Sequence, residues 1–197
     1  MEGVPCGRVV VVSGPSGVGK TTLVERLFQN CPLPLVRSVS ATTRLPRGEE
    51  VDGVDYHFLS PERFHALREQ GQFLECFEVF GRGYWYGTLR SEVRAGIQAG
   101  KWVVLNIDVH GAAAVMERFA HAITMFVRPS SLAELRRRLE LRGTDTPEEI
   151  EKRLERAEYE LSQAHRYRYQ VVNDDLDRAM NEACTILIEE KENEQND

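Results

Sequence analysis

Val9-Val10-Val11-Val12-Ser13-Gly14-Pro15-Ser16-Gly17-Val18-Gly19-Lys20-Thr21 decides the fold class of this chain. Four valines in succession read as a strand buried on both faces. Leu23, Val24, Leu27 and Phe28 follow at helical spacing. The glycines therefore sit between a strand and a helix, the context in which G-x-x-x-x-G-K-[ST] is a phosphate loop. Gly14, Gly17 and Gly19 let the backbone turn its N–H groups inward where a Cβ would interfere. The helix opening at Lys20 adds the partial positive charge of its N-terminus. Lys20 then reaches the β- and γ-phosphates of a nucleotide, and the Thr21 hydroxyl can ligate Mg²⁺. The competing reading is a glycine-rich turn with an incidental lysine. The continuous strand argues against it, as does the absence of any other lysine before Lys101. The loop specifies a nucleoside triphosphate and leaves its fate open.

The chain has 197 residues, 42% of them apolar and 28% charged, the balance of a water-soluble globular chain with a substantial core. Its net charge of -6 argues against a general binder of nucleic-acid backbone. No apolar run approaches membrane-spanning length, and the loose stretch over 1–7 lacks a basic and apolar leader; a cytoplasmic protein is expected. Cys6, Cys31, Cys76 and Cys184 are scattered without a C-x-x-C pair, which predicts reduced thiols. The histidines are dispersed and show no metal-site spacing.

Outward from the loop and a strand near 8–12, the first helix is expected over 20–29. Cys31-Pro32-Leu33-Pro34 ends it, because proline cannot continue an α-helix. Leu35 to Val39 reads as a short strand. Ser40 to Glu50 is polar and punctuated by proline and glycine. Its hydroxyls and arginines beside a phosphate-loop core read as a second anion site, with plain surface loop as the alternative. Ser60-Pro61 caps and opens a short helix with Phe64 and Leu67 inward. Phe73 to Phe80, the turn Gly81-Arg82-Gly83 and Tyr84-Trp85-Tyr86 form a hairpin or meander. Gly87-Thr88 is expected to open a helix with Leu89, Val93 and Ile97 on one face. The strand-rich block 38–87 is thus an insertion in an α/β core.

Trp102 to Ile107 reads as a central parallel strand. Asp108 follows at its carboxyl end, where doubly wound sheets bind ligands and where aspartates also cap helices. A helix through Val115-Met116 and a strand over 123–127 continue the alternation. Ser131-Leu132-Ala133-Glu134 and Thr146-Pro147-Glu148-Glu149 read as capping boxes. The first opens a helix with Arg136, Arg137, Arg138 and Arg142 that stops at Gly143. The second opens a helix with Ile150, Leu154, Ala157 and Leu161 on its stripe and Arg153 near its start. Solvated helix faces account for such arginines; beside a triphosphate site they also make a mobile lid. Tyr169 to Asn173 is a last strand, Asp175 begins an amphipathic helix, and the polar tail from Glu189 is expected to fray.

Two anion sites and a lid suit phosphoryl transfer between nucleotides, which needs arginines, a lysine, Mg²⁺ and exclusion of water rather than a covalent nucleophile. Over essentially its whole length the chain resembles the guanylate kinase family. The resemblance is carried by Ser-Gly-Pro-Ser-Gly-x-Gly-Lys-Thr at 13–21, Val-Ser-x-Thr-Thr-Arg-x-Pro-Arg at 39–47 and Gly-x-Asp-Tyr-x-Phe at 53–58. Tyr-Gly-Thr at 86–88, Ile-Asp-x-x-Gly at 107–111, Arg-Leu-x-x-Arg-Gly-Thr at 138–144 and Val-Asn-Asp-Asp-Leu at 172–176 continue it.

The resemblance implies a P-loop nucleotide-kinase α/β fold with a mostly parallel central sheet and flanking helices. It implies a core over 1–37, 88–136 and 158–197, a GMP-binding insertion over 38–87 and a lid over 137–157. The activity implied is ATP-dependent phosphorylation of GMP, and of dGMP, with Mg²⁺, in purine nucleotide metabolism. The partners implied are ATP and GMP, without nucleic acid or membrane, in a monomer or homodimer. Gly14, Pro15, Ser16, Gly17, Val18, Gly19, Lys20, Thr21 and Thr22 match the ATP-binding loop, with Arg138, Arg142 and, near adenine, Asn173. Ser40, Arg44, Arg47, Tyr56 and Tyr86 match residues that grip the GMP phosphate, and Glu50 the glutamate that follows the arginines. Glu75 and Thr88 match residues that read guanine, and Asp108 a carboxylate at the GMP ribose or the metal's water. Lys20, Arg44, Arg138, Arg142 and Arg153 match catalytic positions, and Thr21 the metal ligand.

The chain departs from the family pattern at Glu49, where the family has glycine, at Asn106, where it has a second aspartate, and at His110, where it has glutamine. The 81–86 turn is also longer than usual. Two other readings stand beside this one: a kinase for a different phosphorylated acceptor, and a guanylate-kinase-like module that binds partners without catalysis. An intact Lys20 and Thr21 argue against the second.

Overall fold

A computed structural model describes residues 7–79, 83–143 and 145–196; Cys6, most of the loose stretch over 1–7, and Gly81-Arg82 of the hairpin turn lie outside them. The elements begin with β1 (Val9–Ser13), α1 (Lys20–Asn30), β2 (Leu35–Arg37), β3 (Ser40–Thr42), β4 (His57–Phe58), α2 (Pro61–Glu69), β5 (Phe73–Val79) and β6 (Tyr84–Leu89). They continue with α3 (Arg90–Gln98), β7 (Trp102–Asn106), α4 (Val109–Arg118), β8 (Ile123–Arg128), α5 (Leu132–Arg142), α6 (Pro147–Ser162), β9 (Tyr169–Val172) and α7 (Leu176–Asn196). The chain forms two compact units. The described residues of the first are 7–9, 34–105 and 110–122; those of the second are 10–33, 106–109 and 123–196.

In the second unit Val10, Val11 and Val12 of β1 are fully buried. β1 pairs in parallel with β8, from Val10 against Ile123 to Ser13 against Phe126, and β8 pairs in parallel with β9. Helix α1 buries Leu23, Val24 and Leu27. Leu135 and Leu139 of α5 meet Ile150, Leu154 and Ala157 of α6 in a separate apolar cluster. Ser131 caps α5 through the Glu134 N–H, and the αL residue Gly143 ends it. The reciprocal half of the expected box is not made there, because Arg137 and Arg138 take the Glu134 carboxylate. Thr146 and Glu149 make both halves at α6.

The first unit contains the parallel pair β2–β7, Leu35 against Trp102, and a four-stranded sheet of order β4-β3-β6-β5. Ala41, Phe64 and Phe73 form the sheet's own small core, with Leu59, Leu67, Cys76, Trp85 and Leu89 against it. Phe64 of α2 stacks on Phe73 at 4.5 Å.

Four expectations need correction. The strand expected over 35–39 ends at Arg37 as β2, and a further strand, β3, starts at Ser40 within the stretch read as an anion-binding loop. Gly87-Thr88 does not open a helix: β6 runs through Leu89. Gly87 is instead a close-approach glycine, since a Cβ there would lie 2.8 Å from Cys76 Cβ and 2.9 Å from the Glu75 carbonyl oxygen. The tail from Glu189 continues α7 to Asn196. Glu190 is buried there, accepting hydrogen bonds from Arg168 at 3.0 Å and from the Tyr169 hydroxyl at 2.6 Å. On α6 the buried position after Ala157 is Glu160 rather than Leu161. Cys31, Cys76 and Cys184 are free thiols.

Candidate active site

The phosphate loop joins β1 to α1 inside the second unit. Gly14, Gly17 and Gly19 all have positive φ, at 141°, 90° and 93°, a conformation open to glycine at little steric cost. Space is as tight as the torsions: a Cβ on Gly14 would lie 2.0 Å from the Val127 carbonyl oxygen. Lys20 folds back over the loop, its Nζ donating to the Gly14 and Pro15 carbonyls at 2.6 and 2.9 Å. Desolvation in that setting lowers its pKa from the ordinary lysine value to about 8, against the opposing pull of Glu160 and Asp108.

Asn173 is buried and donates through Nδ2 to the Val18 carbonyl at 2.8 Å, so it braces the loop. Arg138 donates to the same carbonyl at 3.4 Å and pairs with Glu134 at 2.7 Å. Arg153 is tied to Asp145 at 3.0 Å. Pro15 and Val18 are buried within the loop, whereas Ser16, Thr22 and Arg142 are exposed.

Two residues passed over in the sequence belong to this site. Glu160 accepts from the Ser16 backbone N–H at 3.3 Å and from Arg156 Nε at 3.1 Å. Arg156 also faces the Asp108 carboxylate at 3.6 Å. The available signal was an acid on the apolar stripe of α6, three residues after Ala157.

At the end of β7, Asn106 Nδ2 donates to the Thr21 hydroxyl at 3.3 Å. Thr21, the Asn106 amide oxygen and Asp108 offer a few hard oxygen donors. That set fits a Mg²⁺ ion bound chiefly by phosphate and water. Among the described residues no group of His, Cys, Asp and Glu forms a metal cage of its own.

The second anion cluster lies wholly in the first unit. Arg44 is 6% exposed. It grips Glu50 with both terminal nitrogens, each at 2.9 Å, and donates through Nε to the Tyr86 hydroxyl at 3.0 Å. Its guanidinium lies 5.4 Å from the centre of the Tyr56 ring. The Glu50 hydrogen bonds push the Arg44 pKa above its already high value, so the charge is permanent. Glu50 is held below the usual carboxylate range by Arg44 and then by the Arg47 backbone N–H, which it accepts at 2.7 Å. The turn from Arg47 to Glu50 uses Gly48 at a φ of 54°. Burial raises the Tyr56 hydroxyl pKa, and the Tyr56 ring meets the Tyr86 ring edge-on at 5.8 Å. Arg47 is exposed at the rim.

Cross-strand register supplies the rest. Ser40 opposes Thr88 and Thr88 opposes Glu75; two residues on, Thr42 opposes Tyr86 and Tyr86 opposes Phe77. Directly opposed residues share a sheet face, so Ser40, Thr88, Glu75 and Tyr86 all project to the side away from the Phe64 core. The register runs on from there to Val79 against Tyr84. The buried Thr88 hydroxyl donates to Glu75 Oε1, and Glu75 is 7% exposed.

The match to the guanylate kinase family model covers residues 6–190. The guanylate kinase of Rhodopirellula baltica is 48% identical over 186 residues, 94% of this chain and 89% of that protein. That of Salinibacter ruber is 49% identical over 184 residues, 93% and 96% of the two chains. Among solved structures, guanylate kinase from Anaplasma phagocytophilum aligns with a TM-score of 0.74 at 34% identity, covering 94% of this chain and 87% of that one.

Proposed function

The chain belongs to the guanylate kinase family, and from that premise we propose how its residues divide the work of phosphorylating GMP with ATP. The reaction turns ATP and GMP into ADP and GDP. The loop over 13–21 takes the triphosphate, with Lys20 leaving its carbonyl partners for the β- and γ-phosphates. Arg138 and Arg156, beside the loop, neutralise charge that develops during transfer. Thr21, with Asn106 and Asp108 nearby, would hold Mg²⁺, which supplies further neutralisation of the phosphate oxygens.

Arg44, Arg47, Tyr56, Tyr86 and Ser40 bind the GMP phosphate; the arginine fork suits phosphate oxygens and keeps its charge. Glu75, with Thr88 holding one oxygen, accepts from N1–H and the 2-amino group of guanine, an arrangement adenine does not offer. Among the described residues none is identified that demands the 2′-hydroxyl, so dGMP is accepted as well. Residues 38–87 serve as the acceptor-binding insertion, 137–157 as the lid carrying Arg138, Arg142 and Arg153, and the remainder as the core. The enzyme works in the cytoplasm. No described helix is long and apolar enough to cross a membrane.

The observation that carries base selection is the register that aligns Glu75 with Thr88 and Ser40. Glu75→Gln replaces an anionic acceptor by an amide that also donates. Charge-assisted hydrogen bonds contribute roughly 1.5–3 kcal/mol, so kcat/KM for GMP is expected to fall about ten- to a hundredfold, with AMP little changed. Steady-state kinetics with both monophosphates test this. An unchanged GMP/AMP ratio means that the base is read elsewhere.

The Lys20 pKa of about 8 makes ATP affinity pH-dependent in the free enzyme. The amine is cationic below that value and neutral above it, and only the cation attracts phosphate. ATP is expected to bind progressively more weakly above pH 8, approaching about tenfold per pH unit, with proton uptake on binding. Calorimetric titrations between pH 7 and 9 measure both; a flat dissociation constant contradicts the role.

A further inference from the structure

We propose that Gly111 is a specificity-positioning residue, whose missing side chain leaves the space in which the Glu75 carboxylate lies. The inference rests on the reading of Glu75 as the group that selects guanine. Gly111 is the third residue of α4 and is buried. It is absent from the glycines with positive φ, so its backbone conformation is open to any residue. Space alone singles it out. A Cβ at Gly111 would stand 2.8 Å from Glu75 Oε2, 3.1 Å from Cδ and 3.4 Å from Cγ. Real Cβ atoms do not sit that close to a carboxylate oxygen, so one of the two must move.

Which one moves follows from what surrounds them. At Gly14 the obstacle is a backbone carbonyl 2.0 Å away, and at Gly87 it includes the carbonyl of a paired strand; a side chain there strains the fold. At Gly111 all three nearest atoms belong to the end of one side chain. Glu75 is the part that gives way. It cannot do so harmlessly, because Oε1 is already held by the Thr88 hydroxyl and the residue is 7% exposed. Moving Oε2 out of a Cβ's way swings the carboxylate off Thr88 and out of the line that meets guanine. Glycine inside a helix is also less stable than alanine. The chain therefore carries the weaker helix former at an α4 position that lies against the base-reading carboxylate.

Gly111→Ala separates positioning from packing, because the two roles predict different changes. We expect a folded protein with at most a modest fall in melting temperature, since the helix gain of alanine offsets part of the lost Thr88–Glu75 hydrogen bond. KM for GMP should rise about tenfold or more through the misplaced carboxylate, and KM for ATP should stay unchanged. The loss in Gly111→Ala combined with Glu75→Gln should be no larger than in Glu75→Gln alone, because both act through one carboxylate. Additive losses overturn the proposal. So does a fall in melting temperature accompanied by weaker binding of both nucleotides, which would mark a packing glycine. If Glu75→Gln weakens GMP and Gly111→Ala does not, the inference fails while the reading of Glu75 stands. If Glu75→Gln leaves GMP untouched, that reading fails and the inference falls with it.

Discussion

Arg44→Ala is expected to lower kcat/KM for GMP about a thousandfold and to weaken every nucleoside monophosphate alike. The size follows from what the guanidinium holds together. It is buried, grips Glu50 through two 2.9 Å hydrogen bonds and orients the Tyr86 hydroxyl at 3.0 Å. Alanine removes the positive charge and leaves the Glu50 carboxylate facing an incoming dianion. Truncating one partner of a buried, hydrogen-bonded charge pair commonly costs about 2–5 kcal/mol, and about 4 kcal/mol is a thousandfold. Arg44→Lys should rescue little, because a single ammonium cannot span both Glu50 oxygens and Tyr86 together. Kinetics with GMP and AMP, alongside thermal melts to establish folding, provide the check. A variant that discriminates against GMP alone would mean that Arg44 reads the base.

Lys20→Ala should depress kcat about a hundredfold with a smaller change in KM for ATP. The amine rests on the Gly14 and Pro15 carbonyls without nucleotide and exchanges those contacts for phosphate oxygens. Because negative charge shifts along those oxygens during transfer, its contribution is larger in the transition state than in the ground state. Removing one preorganised electrostatic contact of this kind is commonly worth about 3 kcal/mol. The loop itself should survive: its glycine torsions, the Asn173 bond to Val18 and the buried β1 valines do not depend on the lysine. A folded variant with unchanged kcat removes Lys20 from the chemistry. A loss confined to KM for ATP assigns it uniform binding instead.

The phosphate loop was legible because its constraints are local. Strand, glycines, lysine and helix are contiguous, and positive φ at Gly14, Gly17 and Gly19 is a demand the backbone makes on those positions directly. The same holds for the Thr146–Glu149 box and for the stop at Gly143. The arginine segment at 44–47 was legible as an anion site from composition. That Glu50 would occupy the Arg44 fork was not, because their six-residue separation belongs to no regular element and only the folded turn brings them together.

The sequence by itself thus determined the fold class, the nucleotide loop and the residue types available for a second phosphate and a base. Tertiary structure alone decided their geometry. Cross-strand register set Glu75 beside Thr88, and one residue of slip would have turned both to the opposite face. Packing of α6 beside the loop made buried Glu160 and its exposed partner Arg156 part of the loop's surroundings, and burial anchored Glu190 under Arg168 and Tyr169. The reach of a helix toward a strand gave Gly111 its importance through a distance to Glu75. Local sequence dictates torsions and periodicity, whereas contacts between residues far apart in the chain exist only once the core has closed around them.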